Sequence, residues 1–65
     1  MPGVIVYMAA GWTPEQKKKL MEELSETVVR NLGVDIESVV VQIVEAPLTD
    51  KMKGGKTFVE RRGGA

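Results

Sequence analysis

The chain has no cysteine and no histidine. The first absence excludes disulfide staples, thiolate nucleophiles and cysteine-based zinc sites. The second removes serine–histidine and cysteine–histidine nucleophile systems, together with the commonest general base and metal ligand. Acid–base chemistry near neutral pH is left to a tuned Lys, Glu, Asp or Tyr, or to the amino terminus. An excess of one charge is missing as well, since nine Lys plus Arg balance nine Asp plus Glu. A nucleic-acid ligand asks for a basic surplus, and the chain has neither that surplus nor an RNP-like or zinc-finger motif. No apolar run approaches the ~20 residues that span a bilayer, and no signal-peptide pattern opens the chain. The expected compartment is the cytoplasm, with no membrane partner, no nucleic-acid partner and no metal.

Sixty-five residues make a single domain, 1–65. A chain this short buries only about 60% of the surface its unfolded state exposes, so it needs a staple or a partner. Without cysteine, the partner is the available solution.

Val4 to Met8 is a short run rich in β-branched residues and predicts a strand. Pro2 stands just before it. At the first residue of a strand, proline stiffens the start and has no N–H to donate. It also offers a second possibility: once Met1 is removed, Pro2 carries a free secondary amine on a rigid ring. Ala9-Ala10-Gly11 breaks the strand. Thr13-Pro14-Glu15-Gln16 then predicts a helix start, with Thr13 as N-cap, Pro14 at the first helical position and Gln16 completing a capping box. Leu20, Met21, Leu24, Val28, Val29 and Leu32 share one helical face. Glu15 with Lys19 and Glu26 with Arg30 are i,i+4 pairs on the other face. Gly33 is placed to end the helix, and Lys17-Lys18-Lys19 reads as a solvated face balanced by Glu22 and Glu23.

Val39 to Val44 predicts a second strand, with Pro47 just beyond it. Gly54-Gly55 signals a turn before the short run Thr57-Phe58-Val59, so the end of the chain reads as a small hairpin or arm, with Gly63-Gly64-Ala65 frayed. Strand, five-turn helix and strand make one βαβ unit with a parallel two-stranded sheet and a right-handed crossover. One helix covers one face of such a sheet, yet both strands are nearly continuous in apolar character, the mark of strands buried on both faces. The second face therefore predicts another subunit.

These features resemble the 4-oxalocrotonate tautomerase family. The residues that carry the resemblance are Met1-Pro2, Gly11, Thr13 with Gln16-Lys17, Leu20 and Leu24, Leu32, Ser38-Val39 with Val41, Glu45 and Gly54-Gly55, in register over residues 2 to about 62. The resemblance implies an α/β fold of tautomerase type, completed by assembly into a homo-hexamer or hetero-hexamer. It also implies loss of Met1, Pro2 as catalytic general base, no cofactor and a small enol or keto acid as substrate. The physics agrees: an α-amino group titrates near about 7.7–8.0, and an apolar pocket beside other cations lowers that value toward one useful for removing a proton next to a carbonyl.

Three positions depart from the family pattern. The family's arginine after the loop glycine is Trp12 here, its second-strand arginine is Val40, and its wall aromatic before the Gly-Gly pair is Lys51. Both expected substrate-binding cations are missing while the base remains. Lys51 is the first candidate replacement cation, with Arg61 and Arg62 of the terminal arm behind it. Trp12 is either a stacking wall for substrate or an anchor against a neighbouring subunit. The alternative to an active tautomerase is a non-catalytic or split-site subunit whose hetero-oligomeric partner supplies the arginines.

Overall fold

The computed structural model describes residues 1–62; the expectation for Gly63-Gly64-Ala65 lies outside them. The capping box forms as the residues dictate. The Gln16 backbone N–H donates to Thr13 Oγ1 at 3.1 Å, and the Thr13 N–H donates back to Gln16 Oε1 at 3.0 Å. Helix α1 runs from Pro14 to Leu32 and stops at Gly33, whose φ of 65° is the left-handed cap that glycine takes without steric cost. It is preceded by strand β1, Gly3–Ala9, and followed, after a 3₁₀ turn at Ile36–Ser38, by strand β2, Val40–Ala46.

β1 and β2 pair in parallel, with Val4 beside Val41, Val6 beside Ile43 and Tyr7 beside Val44. The ladder continues past both ends: the Val40 N–H donates to Pro2 O, and the Ala10 N–H to Ala46 O. Strand β2 begins one residue later than the apolar run suggested. Val39 caps the 3₁₀ turn instead, its N–H donating to Ile36 O.

The helix lies over one face of the sheet. Val4, Val6, Val41 and Ile43 are half-buried beneath it, while Ile5, Tyr7, Val40 and Val44 on the other face stand exposed. Tyr7 is 72% exposed, and no described side chain is fully buried. The chain measures 46 × 23 × 14 Å with a radius of gyration of 15.1 Å. A self-contained domain of this length has a radius near about 11 Å. The subunit is a thin plate whose apolar face is open.

Beyond β2, a 3₁₀ turn at Leu48–Asp50 leads into an antiparallel hairpin, strand β3 at Met52–Lys53 and strand β4 at Lys56–Thr57, closed through Gly54-Gly55. Phe58 and Val59 do not extend this hairpin. They belong to a four-residue helix, α2, Phe58–Arg61. The reason is a second capping box, in which Glu60 N–H donates to Thr57 Oγ1 and Thr57 N–H donates to Glu60 Oε1. The expected i,i+4 ion pairs of α1 do not form among the described residues. Arg30 reaches Thr27 Oγ1 instead, because an exposed ion pair gains little over water.

Candidate active site

Pro2 sits where β1 begins, half-buried, with its carbonyl held by Val40. Met1 extends beyond it and is 93% exposed. Around Pro2 is a depression of about 250 Å³ lined by Met1, Gly3, Val4, Ile5, Val40 and Gln42. Apart from the one amide, these walls are apolar, and no charged side chain lines the depression. With Met1 attached, the Pro2 nitrogen is a tertiary amide with no basicity.

Trp12 and Lys51 lie at the other end of the sheet. Trp12 follows the C-terminal end of β1 and Lys51 follows that of β2, and the two strands are parallel. Six residue steps along β1 separate the ends, about 20 Å at strand rise. Within one chain, the structure does not bring Pro2 together with either residue. Trp12 is 51% exposed and borders a groove of about 280 Å³ with Met8, Gln16, Lys17 and Leu20. Lys51 is half-buried, with Nζ 5.8 Å from the centre of the Phe58 ring. That is cation–π distance, and the Phe58 N–H donates to Lys51 O at 2.9 Å. Lys51 thus packs on the terminal arm rather than standing free.

The two arginines of the arm have different fates. Arg61 donates from Nε and Nη2 to Lys53 O, at 3.0 and 2.8 Å, and so clamps the hairpin. Arg62 turns the other way, bringing Nη2 to 3.9 Å from where a β-carbon on Gly11 would stand. Gly11 has a φ of 129°, a backbone state that L side chains rarely adopt. Trp12, Lys51, Phe58 and Arg62 are thereby gathered at the C-terminal end of the sheet. Sequence reading missed Phe58 as the seat of Lys51. The missed signal was Thr57-x-x-Glu60, a capping pattern that turns the chain at Phe58.

Among the described residues no cluster of three or more metal-ligating side chains is present, and no helix is long and apolar enough to cross a membrane. Hydrogen bonds from the Thr57 backbone and hydroxyl hold the Glu60 carboxyl below the ordinary value of 4.5.

Comparison with known proteins places this geometry. The tautomerase family model, described as "Tautomerase enzyme", matches residues 2–61. The chain belongs to the tautomerase family. A "Probable tautomerase" of Bradyrhizobium diazoefficiens is 57% identical over 65 residues, covering 100% of this chain and 97% of the relative. Among solved structures, TomN, a 4-oxalocrotonate tautomerase homologue in the tomaymycin biosynthetic pathway, superposes with a TM-score of 0.89 at 31% identity, covering 95% of each chain. A heterohexamer 4-oxalocrotonate tautomerase from Chloroflexus aurantiacus superposes with a TM-score of 0.85 at 30% identity, covering 92% of this chain and 97% of the other. The βαβ unit with its terminal hairpin is thus the fold of this tautomerase family, with Pro2 at the head of its first strand.

Proposed function

We propose that this tautomerase moves a proton within a small enol or keto acid, using the Pro2 amine, freed by removal of Met1, as general base. The observation that carries this reading is the placing of Pro2 at the mouth of β1, in a depression walled by Val4, Ile5 and Val40. Apolar walls keep the amine neutral and able to accept a proton. The amine takes the proton from one position of the conjugated acid, and the resulting ammonium returns it at another. Atoms and oxidation state balance without a cofactor. Assembly completes the site, because Ile5 and Val40 of the open face line the same depression and that face needs a cover.

The test begins with intact mass of the protein made without tags in its natural host. A mass lacking one methionine is expected. Ketonisation of phenylenolpyruvate is then expected to fall in Pro2→Ala, which keeps only a primary amine without the fixed ring. It should fall by about 10²-fold or more when Met1 is left on and the nitrogen is an amide, the scale of losing a positioned base. Retention of Met1 in the natural host, or equal rates with and without Met1, would sink the reading.

One observation favours a second reading, a split-site subunit in a hetero-oligomer. The Pro2 depression has no charged side chain of its own, and the similar C. aurantiacus protein is a heterohexamer. Here the purified chain alone would be inactive. Proline-dependent turnover would begin on mixing with a second short chain that carries arginine after its loop glycine.

A further inference from the structure

A carboxylate substrate beside Pro2 needs a cation, and neither position 12 nor position 40 holds one. The structure narrows the choice among the cations this chain does have. Lys17 is paired with Glu45 at 2.9 Å, and Arg30 donates to Thr27. Arg61 is committed to the Lys53 carbonyl, and Lys51 lies over Phe58. Lys18 and Lys19 stand on the exposed side of α1, and Lys53 and Lys56 on the exposed hairpin.

Arg62 is different. Its backbone is anchored, since its N–H donates to Phe58 O and Val59 O at 3.1 and 3.2 Å. Its guanidinium lies over the bare backbone of Gly11, one residue from Trp12. It makes no side-chain hydrogen bond or ion pair among the described residues. An anchored arginine with its planar fork unspent matches the two oxygens of a carboxylate. Trp12, the next residue along the chain from Gly11, offers an apolar wall for the rest of a small acid.

This cation stands about 20 Å of strand from Pro2 of its own chain. It reaches a proline only across an interface. Two copies related by a two-fold axis perpendicular to the strands lie with opposite strand ends adjacent. If a second copy covers the open face of Ile5, Tyr7, Val40 and Val44 in that way, the Arg62 end of one copy meets the Pro2 end of the other.

We propose that Arg62, laid over Gly11 beside Trp12, binds the substrate carboxylate at Pro2 of a second copy and so replaces the cations absent from positions 12 and 40. This rests on the proline-base reading above. It makes each site the joint work of two chains.

The experiment uses the full chain lacking Met1, with Arg62→Ala, Arg62→Lys and, as a charge control, Lys18→Ala. Ketonisation is followed with phenylenolpyruvate and with its methyl ester, which has no carboxylate. Arg62→Ala is expected to raise KM for the acid about 10- to 100-fold, the scale of one charge-assisted hydrogen bond. The ester should change less than about two-fold, because only uniform binding of the carboxylate is lost. Arg62→Lys should recover part of the loss, a point charge standing in for the fork, and Lys18→Ala should behave as wild type.

Mixing separates the two-chain arrangement from a structural effect of the substitution. Random co-assembly of Pro2→Ala and Arg62→Ala chains leaves about a quarter of joint sites with both groups intact, so activity toward the acid should return. An unchanged KM in Arg62→Ala, with turnover still lost in Pro2→Ala, would overturn the role of Arg62 and leave the proline reading standing. Equal losses for acid and ester would also overturn it, as would no recovery on mixing. Absence of any proline-dependent rate in the wild type would overturn both.

Discussion

Lys17 Nζ lies 2.9 Å from Glu45 Oε1, tying the first turn of α1 to the end of β2 across 28 residues of chain. It is the one ion pair among the described residues, and both side chains are partly shielded from solvent. The pair fixes the helix over the sheet at the end where Trp12 and the terminal arm meet.

Breaking this pair is expected to cost about 0.5–1 kcal/mol, the usual worth of a partly exposed bridge. A double-mutant cycle with Lys17→Ala and Glu45→Gln, followed by denaturant unfolding at constant protein concentration, measures the coupling. The coupling should shrink at high salt, because screening weakens exposed charges first. A coupling near zero at low salt would show that the helix is held by apolar contact alone.

Placing a charge on the open sheet face should prevent assembly. Tyr7 is 72% exposed and Ile5 54% in the single chain, so Tyr7→Lys costs within the subunit no more than about 1 kcal/mol of strand propensity. Across a dry interface it buries an unpaired ammonium. Sedimentation velocity should show a smaller species than wild type, with a lower Tm, since no described side chain is fully buried in one chain. An oligomer of unchanged size would mean that this face is not the interface.

Gly54 has little room for a side chain. Its φ is 63°, and an added β-carbon would stand 2.8 Å from Arg61 Nη2. Gly54→Ala is expected to loosen the hairpin by about 1–2 kcal/mol through left-handed strain and the displaced Arg61 clamp. Amide exchange at Lys53 and Lys56 should quicken, while exchange in α1 keeps its native rate. Unaltered hairpin exchange would show that the Arg61 clamp is dispensable.

The arm should respond to acid. Because hydrogen bonds to the Thr57 backbone and hydroxyl lower the folded pKa of Glu60, its contribution is present above the ordinary value of 4.5. It is lost as pH falls through the lowered folded value. The Thr57 amide resonance, followed by NMR from neutral pH downward, should titrate with a midpoint below 4.5. In Glu60→Gln that transition should vanish, since the amide oxygen still accepts from Thr57 but does not titrate. A midpoint at or above 4.5 would contradict the capping geometry.

Much of the fold was legible because its signals are local. Thr13, Pro14 and Gln16 start the helix, Gly33 ends it, and β-branched runs mark both strands. The open face was legible too, since two continuous apolar strands and one helix leave a face uncovered. The arm was half read: Gly54-Gly55 marked the turn, but the capping pattern at Thr57 and Glu60 was passed over in favour of a longer strand.

The site divides in the same way. Pro2 stood out from the sequence because its chemistry depends on its own ring and its place behind Met1. Sequence alone determined the βαβ order, the absence of thiol and imidazole chemistry, and the loss of arginine at positions 12 and 40. Tertiary structure decided that Lys51 rests on Phe58, that Arg61 is spent on Lys53 and that Arg62 lies over Gly11. Each of these pairs joins side chains or backbone brought close by the turn of the arm. Distances of that kind come from packing, which no spacing along the chain encodes.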